Sequence, residues 1–228
     1  MKSNTINTAA GKFSAVIFDM DGLMFDTEQI AQYVWEQAAE QYGYQTPHNA
    51  FLGVIGKARP DVEVYTRQIF GDEFPFDRVY QRKQQLLREH LANHGVPLKP
   101  GIMELLDWLE AQDIVKALAS SSPCAVILDH LGQAEIDSTR FTEIVGGDEV
   151  ERGKPAPDIF LLASAKLRIP ADKCIVIEDS NAGIHAAHKA AMLPLMVPDL
   201  IPPTEETKRL ACRIFSNLHD VRNYLAEW

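Results

Sequence analysis

The chain has little cysteine: 228 residues include only Cys124, Cys174 and Cys212, an odd number at wide spacing. Such a set does not indicate a disulfide framework, and we expect a reduced, cytoplasmic protein. Cys174 opens an apolar run, so we expect a buried small hydrophobic side chain there rather than a catalytic or metal-binding thiol.

Basic residues are also scarce. Lys and Arg number 22 against 32 Asp and Glu, which gives a net charge of −10. This charge opposes attraction to a polyanion, so a nucleic acid is not an expected partner. A small phosphorylated substrate can still bind where a metal ion or a lysine reverses the local field.

Long apolar runs are missing as well. No window approaches the roughly 18 apolar residues of a membrane-spanning helix, so we expect no membrane partner. Residues 1–12 are polar and lack the apolar centre of a secretory signal, so we expect a disordered lead-in. The 46% hydrophobic content nevertheless provides for a sizeable core, in one domain with a large insertion or in two modest domains.

Short apolar runs rich in β-branched residues predict buried strands. Amphipathic segments between most of them predict helices. Alternation of strand and helix indicates an α/β fold with a parallel sheet covered on both faces. The predicted strands are 13–18, 114–119, 144–145, 174–177 and 193–197, and the predicted helices are 101–111, 123–131, 156–167 and 182–191.

One segment interrupts this alternation. Residues 28–95 contain no convincing strand, only helical patterns over 30–42, 61–70 and 76–94. We therefore predict an all-helical cap domain, residues 29–95, inserted after the first strand of a core built from residues 1–28 and 96–228.

Polar residues follow several of the predicted strands, where ligands bind in open α/β sheets. Burying several carboxylates together is unfavourable unless a cation or a reaction requires them. Their oxygen atoms suit Mg²⁺, and a lysine and a serine hydroxyl nearby suit a phosphate. These residues are Asp19-Met20-Asp21-Gly22, Ser120-Ser121-Ser122, Lys154-Pro155 and Glu178-Asp179-Ser180.

In this order and at this spacing, the same segments resemble the four motifs of the haloacid dehalogenase superfamily, over nearly the whole chain. The helical insertion resembles the subclass with a helical cap, which includes sugar-phosphate phosphatases, β-phosphoglucomutase and pseudouridine-5′-phosphatase. The resemblance implies a Rossmann-like three-layer core and phosphoryl-transfer chemistry that depends on Mg²⁺.

The resemblance also implies roles. Asp19 would attack phosphorus, and Asp21 would act as general acid and then as general base. Ser120, Ser121 and Lys154 would bind the phosphoryl group. The metal ligands would be the Asp19 carboxylate, the Asp21 backbone carbonyl and Asp179, with Glu178 either a direct ligand or one shell further out.

Specificity would reside in the cap. Gly56 lies in a segment that resembles the cap loop facing the site, and Arg59 lies where mutase-like sequences carry a phosphate-binding arginine. Position 55 is Ile where those mutases usually have a substrate-binding lysine, which weakens the mutase interpretation. Thr27 belongs to a segment that resembles the entry to the cap, and we expect it to contact substrate.

We therefore expect a monomeric phosphatase of a sugar phosphate or a nucleotide-like monophosphate. A phosphomutase of the β-phosphoglucomutase type is the alternative, and a noncatalytic metabolite-binding protein on the same fold is a third. The seven histidines show no metal-site pattern, so we expect them to be solvated or packed.

Overall fold

The computed structural model describes residues 6–8, 11–47, 50–55 and 59–227. Its centre is a six-stranded sheet in which every neighbouring pair of strands is parallel. In chain order the strands are β1 (Ile6–Thr8), β2 (Gly11–Phe13), β3 (Ala15–Phe18), β4 (Val115–Ser120), β5 (Glu143–Gly146), β6 (Cys174–Glu178), β7 (Leu193–Met196) and β8 (Arg213–Ile214). The last six strands form the central sheet in the order β5-β4-β3-β6-β7-β8, while β1 and β2 pair with each other in a separate two-stranded sheet.

The strand β3 lies in the middle of this sheet, and its register decides which side chains meet. Phe18 pairs with Leu118 of β4 on one side and with Ile177 of β6 on the other. The polar residues that follow these strands therefore leave the same edge of the sheet. This register confirms the predicted α/β architecture.

Helices cover the sheet and fill the predicted insertion. In chain order the α-helices are α1 (Glu28–Glu40), α2 (Arg59–Phe70), α3 (Phe76–His94), α4 (Ile102–Ala111), α5 (Cys124–Gln133), α6 (Asp158–Leu167), α7 (Asn181–Lys189), α8 (Glu205–Leu210) and α9 (Leu218–Ala226). The first three lie within the segment predicted to be all-helical.

The core follows the alternation of side chains along the strands. Phe18 and Leu118 pack into one apolar cluster, while Ile17 and Ala117 pack into another, on the opposite face of the sheet. A third cluster joins α1 and α3 around Trp35, which lies against aromatic rings of α3 and of the turn before it. Cys174 is buried, as predicted.

Two segments connect the helical insertion to the sheet. Phe25 forms a bridge with Leu98, and the Asp26 N–H donates to the Pro97 carbonyl oxygen at 2.8 Å. Lys99 joins Asp26 (2.9 Å) to Asp199 (2.5 Å), in the loop after β7. The entry and exit of the insertion are therefore held side by side.

The termini differ from the prediction. Residues 6–8 and 11–13 pair as an antiparallel hairpin where a disordered lead-in was expected. The C-terminal β8, α8 and α9 were not predicted. These short elements lack long apolar runs, and the strands among them are held by main-chain hydrogen bonds that composition does not reveal. In the described part of the chain, no helix is long and apolar enough to cross a membrane.

Candidate active site

Asp19 is the first residue after β3, and it is almost fully buried, with 6% of its surface exposed. Its backbone N–H donates to the Ile177 carbonyl oxygen at 3.0 Å, which continues the pairing with β6 beyond the strand. Burial raises the pKa of Asp19 to about 7, with the Lys154 ammonium opposing the shift and the Glu178 carboxylate adding to it. Asp19 is thus a carboxylate fixed at the edge of the sheet.

Lys154 supplies the positive charge at this point. Its side chain is 1% exposed, and its ammonium donates to Asp19 Oδ1 and, at 2.8 Å, to Glu178 Oε1. Burial disfavours the charged ammonium, but the two carboxylates outweigh it and raise the pKa of Lys154. A buried lysine stays charged here because two buried carboxylates surround it.

Three buried carboxylates form a cluster that could hold a cation. One oxygen each of Asp19, Glu178 and Asp179 lies within 4.8 Å of the others. The pKa of Asp179 is raised well above its usual value, mainly by burial and further by repulsion from Glu178 and Asp19. Gly22 (φ +81°) lies against the cluster, since a Cβ there would come within 2.4 Å of Asp179 Oδ2.

The two oxygens of Glu178 are both engaged. Oε1 accepts from Lys154, and Oε2 accepts from the Ser180 N–H at 2.6 Å. Ser180 also begins α7, where its hydroxyl accepts from the Gly183 N–H at 3.0 Å. The start of α7 therefore fixes the carboxylate cluster from the side of β6.

Asp21 lies beside the carboxylate cluster, and its side chain contacts Thr27 and Ser122. Its Oδ1 accepts from the Thr27 hydroxyl at 3.0 Å, and its Oδ2 accepts from the Ser122 hydroxyl at 3.0 Å. His130 Nδ1 lies 3.9 Å from Asp21 Oδ1. Asp21 is therefore held by hydrogen bonds from two separate segments of the chain, and His130 lies nearby without a hydrogen bond to it.

The serines at the end of β4 and directly after it complete this edge. Ser120 is 2% exposed, and its hydroxyl accepts from the Ser122 N–H at 3.1 Å. Ser121 lines the same cavity as Ser120. This turn brings hydroxyl groups and backbone N–H groups next to the carboxylates, as a site for an anion requires.

A cavity of about 400 Å³ opens above these residues, between the sheet edge and the helical insertion. Its floor carries the polar residues Asp19, Asp21, Ser120, Ser121 and Asp179. Its walls are largely apolar and include Trp35, Phe51, Val54, Ile55, Val62 and Leu87.

The predicted cap residues lie in different places. Thr27 lines the cavity and also holds Asp21. Arg59 lines the cavity too, but its guanidinium is paired with Asp77 and lies 5.4 Å from the ring centres of Phe76 and Tyr80. Gly56 lies outside the described residues.

Several residues around the cavity were not predicted. Burial and repulsion from Asp21 raise the pKa of Glu28 to about 8, although Lys83 opposes the shift. Burial lowers the pKa of Lys83, opposed by Glu28. Lys83 belongs to an ordinary amphipathic helix, so its sequence context gave no signal. His130 was expected to be solvated or packed, and it is buried at the cavity wall near Asp21.

Comparison with known proteins shows the family of the chain. Residues 16–197 match the family model described as haloacid dehalogenase-like hydrolase. A phosphorylated carbohydrates phosphatase of Thermotoga maritima is 32% identical over 78% of this chain and 82% of its own length. A protein of Drosophila melanogaster named as a probable pseudouridine-5′-phosphatase is 31% identical over 95% of this chain and 94% of its own length.

Among solved structures, β-phosphoglucomutase of Clostridium difficile has a TM-score of 0.77 at 24% identity, covering 94% of this chain and 98% of that one. This likeness concerns the fold alone. The family model covers most of the chain, and both sequence relatives exceed 30% identity. The chain is therefore an enzyme of phosphoryl chemistry that belongs to the haloacid dehalogenase-like hydrolase family.

Proposed function

We propose that the chain is a Mg²⁺-dependent phosphatase that hydrolyses a small phosphorylated metabolite through an aspartyl-phosphate on Asp19. The observation that carries this proposal is the buried Asp19 carboxylate held by Lys154 at the floor of an open cavity. A carboxylate nucleophile needs a neighbouring positive charge to meet an anionic phosphate, and Lys154 supplies one.

In the proposed first step, an Asp19 carboxylate oxygen attacks phosphorus while the bond to the leaving oxygen breaks. Asp21 donates a proton to that oxygen, and then accepts one from the water that attacks the aspartyl-phosphate. Ser120 and Lys154, with the turn at Ser121, hold the phosphoryl oxygens. The positions of these side chains at one sheet edge support this division of roles.

The carboxylate cluster fits Mg²⁺, because its oxygen donors are the hard ligands that this ion prefers. Asp19, Asp179 and the Asp21 backbone carbonyl would hold the ion. Both Glu178 oxygens already accept hydrogen bonds, which favours Glu178 as a support for the ligands rather than a ligand itself. When bound, Mg²⁺ would shield the negative nucleophile from the negative phosphate.

We propose that residues 29–95 act as a cap that closes over the cavity, while residues 1–28 and 96–228 form the catalytic core. Two observations support this division. The entry and exit segments are paired side by side at Phe25 and Leu98, and the cavity is lined from both parts of the chain. Closure would exclude water and position the substrate.

The relatives and the cationic side chains of the cavity support a proposal for the substrate class. The relatives act, by their names, on phosphorylated carbohydrates and on pseudouridine 5′-phosphate, so we propose a sugar phosphate or a nucleotide-like monophosphate. Among the described residues that line the cavity, Arg59 and Lys83 carry cationic side chains. Arg59 is paired with Asp77, and Lys83 is attracted to Glu28. This arrangement favours a neutral leaving group, hence a phosphatase over a mutase that must hold a second phosphate.

We further propose that the protein is a cytoplasmic monomer without a nucleic-acid partner. The three cysteines are free, which suits a reducing compartment. The net charge of −10 opposes binding to nucleic acid.

The test is phosphate release from a panel of sugar phosphates and nucleoside monophosphates, with Mg²⁺ or with EDTA. Conversion of glucose 1-phosphate to glucose 6-phosphate is followed in parallel, and the Asp19→Asn variant is the control. Mg²⁺-dependent release that Asp19→Asn abolishes is the expected result. Isomer conversion without phosphate release would replace the phosphatase by a mutase, and no reaction in either assay would refute both.

A further inference from the structure

His130 is an unusual residue for the inner face of α5. Its neighbours on that face, Ile127 and Leu131, are apolar and buried. His130 is equally buried, at 4% exposure, and its ring lies edge-on to Phe25 with 6.2 Å between ring centres. A leucine side chain would also fill this apolar position, so packing alone does not explain a histidine here.

The hydrogen bonding of the Nδ1 atom of His130 indicates a further role. It is buried, and among the described residues it has no hydrogen-bond partner. A buried polar atom without a partner destabilises a fold, because it gives up its bonds with water. The charged group it approaches is Asp21, whose Oδ1 lies 3.9 Å away.

Asp21 can accept the missing hydrogen bond. Its Oδ1 accepts from Thr27, and its Oδ2 accepts from Ser122, each at 3.0 Å. A carboxylate oxygen has two acceptor sites, so Oδ1 has room for a second donor. Catalytic hydrogen bonds in a structure without substrate are often long, and they shorten to about 2.6–3.2 Å in the complex.

We propose that His130 is a positioning residue for Asp21, and that the Nδ1–H of His130 donates to Asp21 Oδ1 when substrate fills the cavity. This inference rests on the proposed function. With Thr27 and His130 both donating to Oδ1, the proton of the acid form resides on Oδ2. That proton passes to the leaving oxygen, which keeps the electron pair of the broken P–O bond, while His130 retains its own proton.

Three substitutions separate this role from packing. Asn in place of His130 keeps an amide N–H close to the position of Nδ1, whereas Gln places its amide near Nε2. Leu fills the space without a donor. Ile127→Val removes one buried carbon from the same helix outside the cavity, and so serves as the packing control.

The kinetic result expected for His130→Leu is a fall in kcat of about tenfold with KM changed less than about twofold, since a positioned acid contributes at least this much. His130→Asn should recover most of the lost kcat, His130→Gln should not, and Ile127→Val should stay within about twofold of the natural protein. A wild-type kcat in His130→Leu, or equal losses in the Asn and Gln variants, would overturn the proposal.

A second measurement does not depend on turnover. The ¹⁵N spectrum of protein labelled at histidine, with Mg²⁺ and inorganic phosphate added, reports which ring nitrogen carries hydrogen, and His130→Gln assigns the signals. Hydrogen on Nδ1, with a shift that changes in Asp21→Ala, is the expected result. An unprotonated Nδ1 would overturn the role of His130. If the natural protein releases no phosphate from any substrate, the proposed function fails, and this spectrum alone decides the role of His130.

Discussion

At the scale of single residues, the site depends on one buried ammonium between two buried carboxylates. Lys154 contacts Asp19 and Glu178, and all three are nearly inaccessible to solvent. Such an arrangement is stable only when it is complete, because each ion depends on the others for the interactions it lost with water. The catalytic charges are thus also structural charges.

The substitution Lys154→Met should abolish turnover and lower the free energy of unfolding by about 3–5 kcal/mol, because it leaves buried carboxylates without their partner. Urea unfolding followed by circular dichroism measures the stability. The loss should be smaller at about pH 5 than at about pH 8, because burial raises the pKa of Asp19 to about 7 and protonation at the lower pH neutralises this stranded carboxylate.

The matched control is Lys166→Met, which removes a half-exposed ion pair with Glu149. It should cost less than about 1 kcal/mol and leave phosphate release unchanged. Equal stability losses in the two variants would contradict the claim that the buried contacts of Lys154 stabilise the fold more than a surface ion pair does.

The residues after the strands were predictable from the sequence, while their partners were not. Asp19 and Ser120 stand directly after apolar runs, so their meeting at one sheet edge followed from the parallel topology. His130 and Lys83 lie on amphipathic helices, where sequence spacing places a side chain on a face but does not say what it faces. Finding them required the packing of those helices against the sheet.

At the scale of elements, close approach between helix and strand shapes the site. The first turn of α7 leaves no space beside β6, because a Cβ on Gly183 would lie 1.8 Å from Glu178 Oε1. A Cβ on Gly132, near the end of α5, would have no atom of the described residues within 4 Å beyond its own helix backbone and chain neighbours. Two helical glycines therefore have opposite roles.

The substitution Gly183→Ala should displace Glu178, weaken its bond with Lys154 and reduce both stability and phosphate release. Gly132→Ala should be neutral or stabilise the protein by about 0.5–1 kcal/mol, because it only lowers the entropy of the unfolded chain. Thermal unfolding of the two variants compares them directly. A Gly183→Ala protein as stable and active as Gly132→Ala would contradict the close packing of α7.

Most elements of the core were predictable, since buried parallel strands give continuous apolar runs and the covering helices give a clear period. The hairpin at residues 6–13 and the short strand Arg213–Ile214 were not, because their sequences lack such runs. The predicted boundary of the cap, residues 29–95, stays a prediction.

At the scale of the whole molecule, the sheet gathers negative charge at one edge and the fold holds it there. Without a cation, burial raises the pKa of Asp19 to about 7 and that of Glu28 to about 8. Groups with raised pKa values bind protons more tightly in the folded state than in the unfolded one. Their stabilising contribution is complete below about pH 4 and is lost as the pH rises through 7 to 8.

The metal-free protein should therefore melt at a lower temperature at about pH 9 than at about pH 6. Mg²⁺ should raise the melting temperature, and by more at the higher pH, because it offsets the ionised carboxylates. Differential scanning calorimetry with EDTA or Mg²⁺ at both pH values measures the effect, and Asp179→Asn is the control that should respond less to Mg²⁺. The same response to Mg²⁺ at both pH values would contradict this account of the cluster.

The central claim is that Asp19 becomes phosphorylated. The most direct test is to quench the natural protein rapidly during turnover of a substrate, reduce it with borohydride and identify the modified residue by mass spectrometry. An acyl phosphate is reduced to the alcohol, so the account predicts homoserine at position 19. Homoserine in place of another aspartate would contradict the account. Formation of phosphoprotein in which Asp19 is unmodified would contradict it as well.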